Sequence, residues 1–206
     1  MRFGLWLPIG LFLLLILFPA TSPAIVADRI MAVVDREVIA LSDVQKYREV
    51  FLKKRDADDS AALEEIIDQT LLLAEARKLE ILPPPDDEIA RVYKKLRLRF
   101  GRPETFELLK TRLALTDDEI KERIKQQLLI DQLIEQRIHF FVFVTPAEIG
   151  AYYQDHPGEF KNQTQEAARK AIQEIRTAEK AQLKLKDYLD RLRAKANIRI
   201  NRPPPE

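Results

Sequence analysis

Few residues of this sequence have the type and spacing that catalysis or metal binding requires. The only two histidines, His139 and His156, lie 17 residues apart, and there is no cysteine, so no pair of ligands has zinc-site spacing. The spacing of residues in the sequence neither supports nor excludes a Ser-His-Asp triad, but Ser42 and Ser60 both occupy positions typical of helix caps. The five glycines are scattered without forming a phosphate-binding loop. The sequence therefore disfavours an enzyme and indicates no metal ion and no cofactor.

Aromatic side chains are the more suggestive candidates. Nine of the twelve beyond residue 27 fall between positions 93 and 160: Tyr93, Phe100, Phe106, Phe140, Phe141, Phe143, Tyr152, Tyr153 and Phe160. Most should be core, because large apolar side chains are usually buried. However, five consecutive apolar residues at 140–144 leave no polar face. Some of this surface should therefore line a groove that receives another polypeptide, and we take the aromatic residues at 93–106 and 140–160 as the candidate lining.

The elements that position these residues are mainly helices. Residues 28–41 alternate like two short strands around a turn at Asp35-Arg36, and Ser42 with Gln45 is spaced like a capping box that starts a helix at Asp43. The run at 140–144 is short and β-prone. Periodic apolar residues and caps predict further helices over 60–79, 86–100, 103–113, 116–139, 145–156 and 164–196, and a strand over 198–200.

Residues 1–27 are typical of a secretory signal peptide. Arg2 precedes an uncharged apolar run and then small residues, with cleavage expected after either Ala24 or Ala27. The alternative, an uncleaved anchor, is disfavoured because the run is shorter than the ~20 apolar residues of a spanning helix. We therefore expect a periplasmic protein. Without cysteine, its stability must come from its core rather than from disulfides.

A basic segment lies between positions 94 and 102. Its charged residues alternate with apolar ones in a pattern superficially typical of nucleic-acid binding: Lys94, Lys95, Arg97, Arg99 and Arg102. The chain has 34 basic and 33 acidic residues, and Arg2 is the only charge in the predicted signal, so the exported part is neutral. A neutral, exported chain is not expected to bind nucleic acid. We interpret the segment as a helix with one basic face, and contact with anionic lipid or an acidic client is the weaker alternative.

The order of elements is similar to that of a known family. Residues 30–44, with an Ile-x-Ala-Val-Val strand, a second Val-Ile strand and a Ser-Asp helix start, resemble the opening of the SurA-type periplasmic chaperones (the SurA N-terminal domain family). Residues 65–76, 106–113 and 145–149 follow in the same order as later helices of that family. The resemblance covers about residues 28–160.

Most members of that family carry parvulin-type prolyl isomerase domains, which enter after a segment similar to Tyr152–Phe160 here. Only residues 161–163 separate Phe160 from the last predicted helix, and the remaining 46 residues are mostly helical. We therefore expect the isomerase domain to be absent. In the family, a final helix and strand complete the chaperone module. This implies that residues 161–201 return to the N-terminal hairpin and that 202–206 form a tail.

The resemblance implies a mainly α fold with a small N-terminal hairpin joined by a C-terminal strand. It also implies an ATP-independent periplasmic chaperone that binds unfolded outer-membrane-type polypeptides through an apolar groove. Peripheral membrane contact and the oligomeric state stay open. Two alternatives remain: an oligomeric structural or assembly protein of the envelope, and a parvulin-type prolyl isomerase by family association.

Overall fold

The computed structural model describes residues 28–52 and 58–201. The predicted signal peptide with its cleavage sites and the predicted tail at 202–206 lie outside the described residues. Within the described part, the fold is mainly α, as predicted. The elements are, in order, β1 (Ile30–Val34), β2 (Glu37–Ala40), α1 (Leu41–Val50), α2 (Asp59–Lys78), α3 (Asp86–Leu98), α4 (Pro103–Arg112), α5 (Asp117–Arg137), α6 (Pro146–Asp155), α7 (Gln165–Lys195) and β3 (Ile198–Ile200). No helix among residues 28–52 and 58–201 is long and apolar enough to cross a membrane.

A three-stranded antiparallel sheet joins the two ends of the described chain. β1 lies in the centre and pairs with β2 on one edge and with β3 on the other. Asp35 forms the hairpin turn with a positive φ of 53°, and its amide N–H donates to the carbonyl of Asn197 at 2.9 Å. Its carboxylate accepts from the N–H of Asn197 at 2.8 Å. The predicted pairing of the last strand with the N-terminal hairpin is confirmed.

Two helix starts follow directly from local sequence. Thr116 and Glu119 form a capping box at α5: the Thr116 N–H donates to the Glu119 carboxylate at 2.7 Å, and the Glu119 N–H donates to the Thr116 hydroxyl at 3.2 Å. Thr145 and Glu148 form the same pair at α6, with Pro146 at the first helical position. Each box satisfies two otherwise unpaired groups of a helix end, so both predictions are confirmed.

The predicted capping box at Ser42 is wrong. Helix α1 begins earlier, at Leu41, with Ala40 in the cap position. The carboxylate of Asp43 accepts from the Ala40 N–H at 3.0 Å, so an aspartate supplies the returning acceptor. The Ser42 hydroxyl donates instead to the Asp28 carboxylate, which the chain brings back to the helix start.

The β-prone run at 140–144 does not form a strand. Residues His139–Phe141 form a 3-10 turn, and residues 142–144 continue as extended chain into α6. In the described residues, β1 is already paired on both edges, and the 140–144 run packs against α7 instead of a strand edge.

Helix α7 is held along its length by the other helices. Near its start, Ile172 is fully buried with Ile149 and Phe160, and near its end Leu189 packs on Leu72 of α2. There the Arg193 guanidinium lies 2.6 Å from Asp68 Oδ1 and 2.9 Å from Glu64 Oε2. Two carboxylates of α2 therefore anchor the half-buried end of α7 just before β3.

Candidate functional site

The aromatic residues of the 93–106 group lie in one core cluster. Phe106 of α4 is 0% exposed, with the ring of Tyr93 at 6.1 Å and that of Phe100 at 5.1 Å. Tyr93 and Phe100 are half-buried, and the Tyr93 hydroxyl donates to Asp117 at 2.8 Å. The expectation that Phe106 lines a groove is corrected, because a polypeptide outside the fold cannot reach its ring.

A second group belongs to the junction of α6 and α7. Phe160 is 4% exposed, packed against Ile172 and near the rings of Tyr152 and Tyr153. Tyr152 is half-buried and stacks on His156 at 4.0 Å, whereas Tyr153 is 47% exposed. Phe160 is therefore also a core residue, and its expected place in a groove lining is corrected.

Three phenylalanines remain in solvent. Phe140, Phe141 and Phe143 are 70%, 52% and 72% exposed, and the first two rings meet edge to face with centroids 5.2 Å apart. Leu183 of the neighbouring α7 is 63% exposed. Phe140, Phe141 and Phe143 are predicted site residues that the structure brings together and leaves accessible. Together with Leu183, which the sequence did not single out, they are called the aromatic surface below.

The buried residues of the segment hold it onto α7. Ile138 and Val142 are buried with Ala181, and Val144 is half-buried, so the rings between them must face outward. Lys180 adds a polar clamp: its amine donates to the Phe143 carbonyl at 2.8 Å and lies 2.5 Å from Glu148 Oε1. The aromatic surface thus stands on a fixed backbone.

The contact between Lys180 and Glu148 lowers the pKa of the glutamate. The Lys180 amine and the capping bonds of Thr145 lower the pKa of Glu148 from the ordinary 4.5 to about 2. Because the folded-state pKa is depressed, its stabilising contribution is complete above pH 4.5 and is lost as the pH falls toward about 2. An NMR titration of the Glu148 carboxyl should show the low midpoint.

Two variants of α7 check the cause of this low midpoint. Lys180→Met should raise the Glu148 midpoint toward 4.5, because the partner amine is gone. Lys186→Met, which removes a lysine that pairs with Asp190 on the same helix, should leave it unchanged. A wild-type midpoint near 4.5 contradicts the clamp.

A shallow groove of about 330 Å³ is formed in part by residues of the aromatic surface. It is lined by Phe141, Val142, Phe143, Lys180, Leu183, Lys184 and Asp187. Its lining combines apolar side chains with two lysines and one aspartate. Chemically, such a groove can hold apolar or aromatic side chains of another molecule.

The predicted basic face lies on α3 and in the turn that follows it. Lys94, Lys95 and Arg102 are exposed, while Arg97 reaches Glu107 at 3.9 Å and Arg99 donates to the Leu52 carbonyl at 3.3 Å. The interpretation of a helix with one apolar and one basic side is confirmed, since Ile89 and Leu96 of α3 are buried.

The histidines lie apart in the fold. His139 is 3.8 Å from Glu135, and His156 Nδ1 is 2.9 Å from the Tyr152 carbonyl, so each contacts a neighbour in sequence. In the described part of the chain, no three His, Asp or Glu side chains are grouped as metal ligands would be.

A second concavity was not singled out by sequence. This cleft of about 350 Å³ lies between β2, α1, α2 and α5, and Tyr47, Gln69 and Arg123 belong to its lining. The guanidinium carbon of Arg123 lies 5.2 Å from the centroid of the Tyr47 ring. An arginine on an amphipathic helix is normally predicted to lie on the solvated face, so the local sequence gave no indication that Arg123 is half-buried.

Comparison with known proteins supports the fold. No protein-family model and no curated protein matches the sequence. Among solved structures, the fold is similar to that of a chain from a study of Campylobacter jejuni, where the virulence factor PEB4 and the periplasmic protein Cj1289 are two structurally related SurA-like chaperones. The TM-score is 0.54 at 15% identity, over 85% of this chain and 100% of that chain. The fold is therefore SurA-like.

Proposed function

We propose that this protein is a periplasmic chaperone that binds unfolded polypeptides without ATP. The observation that carries the proposal is the aromatic surface: three phenylalanine rings, each more than half exposed, standing on a clamped backbone. Exposed apolar area of this kind is costly in water and marks a surface that contacts other molecules. The SurA-like fold is consistent with this role, because the solved chain that it resembles comes from SurA-like chaperones.

The occupant of the aromatic surface is proposed to be an extended client segment of the outer-membrane type. Alternate side chains of such a segment point to one side, so aromatic residues at every second position can reach the exposed rings and the adjacent groove. Each aromatic contact contributes little alone, about 0.5–1.5 kcal/mol beyond its buried area. Several weak contacts hold a client while still allowing its release.

The proposed activity needs no isomerase domain. Residues 161–201 form a short turn, α7 and β3, which supports the expectation that no parvulin domain is inserted after Phe160. Prolyl isomerisation is the rival function, and an assay with a proline-containing peptide detects it directly. Measured acceleration of cis-to-trans conversion would assign the protein to that class instead.

An aggregation assay tests the proposed function. Residues 28–206 are mixed with an unfolded β-barrel protein diluted from denaturant, and light scattering is followed without nucleotide. A chaperone should lower the scattering at near-equimolar ratio. Sedimentation of the protein alone separates the structural alternative. A permanent oligomer that leaves client aggregation unchanged sinks the chaperone proposal.

A further inference from the structure

The cleft between β2, α1, α2 and α5 contains a guanidinium that no carboxylate of the cleft contacts directly. Among residues 28–52 and 58–201, the half-buried Arg123 forms no ion pair and no hydrogen bond through its guanidinium. Burial lowers the pKa of Arg123 from its ordinary value, and the nearby carboxylate of Asp43 offsets part of this effect. Since arginine stays protonated at neutral pH, a charge is kept at a place where its hydration is reduced.

The guanidinium of Arg123 lies over the ring of Tyr47. The tyrosine is 5% exposed, and its hydroxyl donates to Glu65 at 2.7 Å and accepts from Gln69 at 2.5 Å. Arg123 therefore rests over a ring that is itself held by two hydrogen bonds, in a cation-π contact. A planar guanidinium on such a platform keeps the N–H groups of its edge available to a ligand.

The acidic side chains of the cleft do not satisfy Arg123. Asp43 caps α1 through the Ala40 N–H, and Glu119 caps α5 through Thr116 while its other oxygen lies 3.9 Å from Lys46. Glu37 at the β2 end is the third acidic lining residue, and Arg77 of α2 adds a second guanidinium. The two arginines, one lysine and three carboxylates leave the lining neutral overall. Two of the carboxylates, those of Asp43 and Glu119, already accept hydrogen bonds at helix starts.

Apolar surface lies beside the charged group. Val38 is 54% exposed, and Phe51, Leu73 and Leu115 are half-buried members of the same lining. A cleft of about 350 Å³ is within the size range of sites for small ligands or a few side chains. A ligand that fits both features has an anionic group next to an apolar one.

We propose that this cleft binds a carboxylate of a polypeptide, either an Asp or Glu side chain or a free C-terminus, with an apolar side chain beside it. The Arg123 fork matches the two oxygens of a carboxylate, and bonds of this kind are charge-assisted and specific in direction. The inference rests on the proposed function, because it assigns a chemical class to part of the polypeptide client.

Labelled peptides with one apolar cluster and a blocked N-terminus test the inference by fluorescence polarisation with the purified protein. Four peptides differ only in the acid: a free C-terminus with internal Gln, an amidated C-terminus with internal Glu, both acids, or neither. The favoured acid should tighten binding about tenfold over the neutral peptide. The peptide that gains affinity identifies which carboxylate is bound.

Variants of Arg123 assign the effect to the cleft. Arg123→Gln should abolish the preference for acid, and Arg123→Lys should keep part of it because the charge remains without the fork. Arg169→Gln removes an equal charge from an exposed position of α7 and should leave the preference intact. Thermal unfolding checks that the Arg123 variants remain folded.

The outcomes separate this inference from the proposed function. If acidic and neutral peptides bind equally, or if the preference survives Arg123→Gln, carboxylate recognition by the cleft is wrong while polypeptide binding stands. Suppressed aggregation without any peptide binding also overturns the cleft proposal alone. Failure of both the peptide and the aggregation assays overturns both proposals.

Discussion

Phe106→Ala is expected to lower the free energy of unfolding by about 3–5 kcal/mol. The ring is 0% exposed, and it is the point where α3, α4 and α5 meet, in one cluster with Ile89, Leu96 and Ile120. Removing it leaves a cavity between three helices whose backbones are fixed by their own hydrogen bonds. Denaturant titration followed by circular dichroism measures the change in midpoint.

Leu108→Ala provides the matched control for this prediction. Leu108 lies two residues away on the same helix and is 71% exposed, so its removal should change the free energy of unfolding by less than about 0.5 kcal/mol. A loss of less than about 1 kcal/mol for Phe106→Ala contradicts the packing described here. At denaturant concentrations where the Phe106→Ala variant is still folded, it should suppress client aggregation as well as the wild type does, because Phe106 does not face solvent.

Local sequence predicted the parts of the fold that depend on local contacts. The capping boxes at Thr116 and Thr145 are made within four residues, so residue type and spacing suffice. At Ser42 the same reasoning failed, because Asp28 captures its hydroxyl from fourteen residues away. Spacing alone cannot predict a helix cap when the capping side chain bonds to a residue that is distant in sequence.

The candidate site shows the same limit. Phe106 and Phe143 are both aromatic residues of the predicted site, yet one is fully buried and the other is 72% exposed. The difference between them is tertiary packing: the rings of Tyr93 and Phe100 pack against Phe106, whereas contacts of Val142 and Lys180 with α7 leave Phe143 facing outward. The place of Arg123 over Tyr47 likewise depends on two helices that are distant in sequence. Periodicity identifies apolar faces but not which aromatic residue of a face remains open.

Replacing Phe140, Phe141 and Phe143 together with glutamine is expected to remove most of the aggregation suppression while the fold is retained. The rings are exposed, so the folded state loses little buried area and the free energy of unfolding should change by less than about 1.5 kcal/mol in total. The client, however, loses all three aromatic partners of the aromatic surface. Scattering in the β-barrel assay should then approach that of the client alone.

A control with equal loss of exposed apolar residues decides whether location matters. Leu82, Leu98 and Leu108 are 79%, 68% and 71% exposed and lie outside the aromatic surface, so their joint replacement by glutamine removes a comparable number of large side chains. If suppression depends on the aromatic surface, this control retains it. Equal loss in both triple variants means that general surface hydrophobicity is responsible. Full suppression by the phenylalanine variant places client binding elsewhere, and the Arg123 cleft is then the next surface to vary.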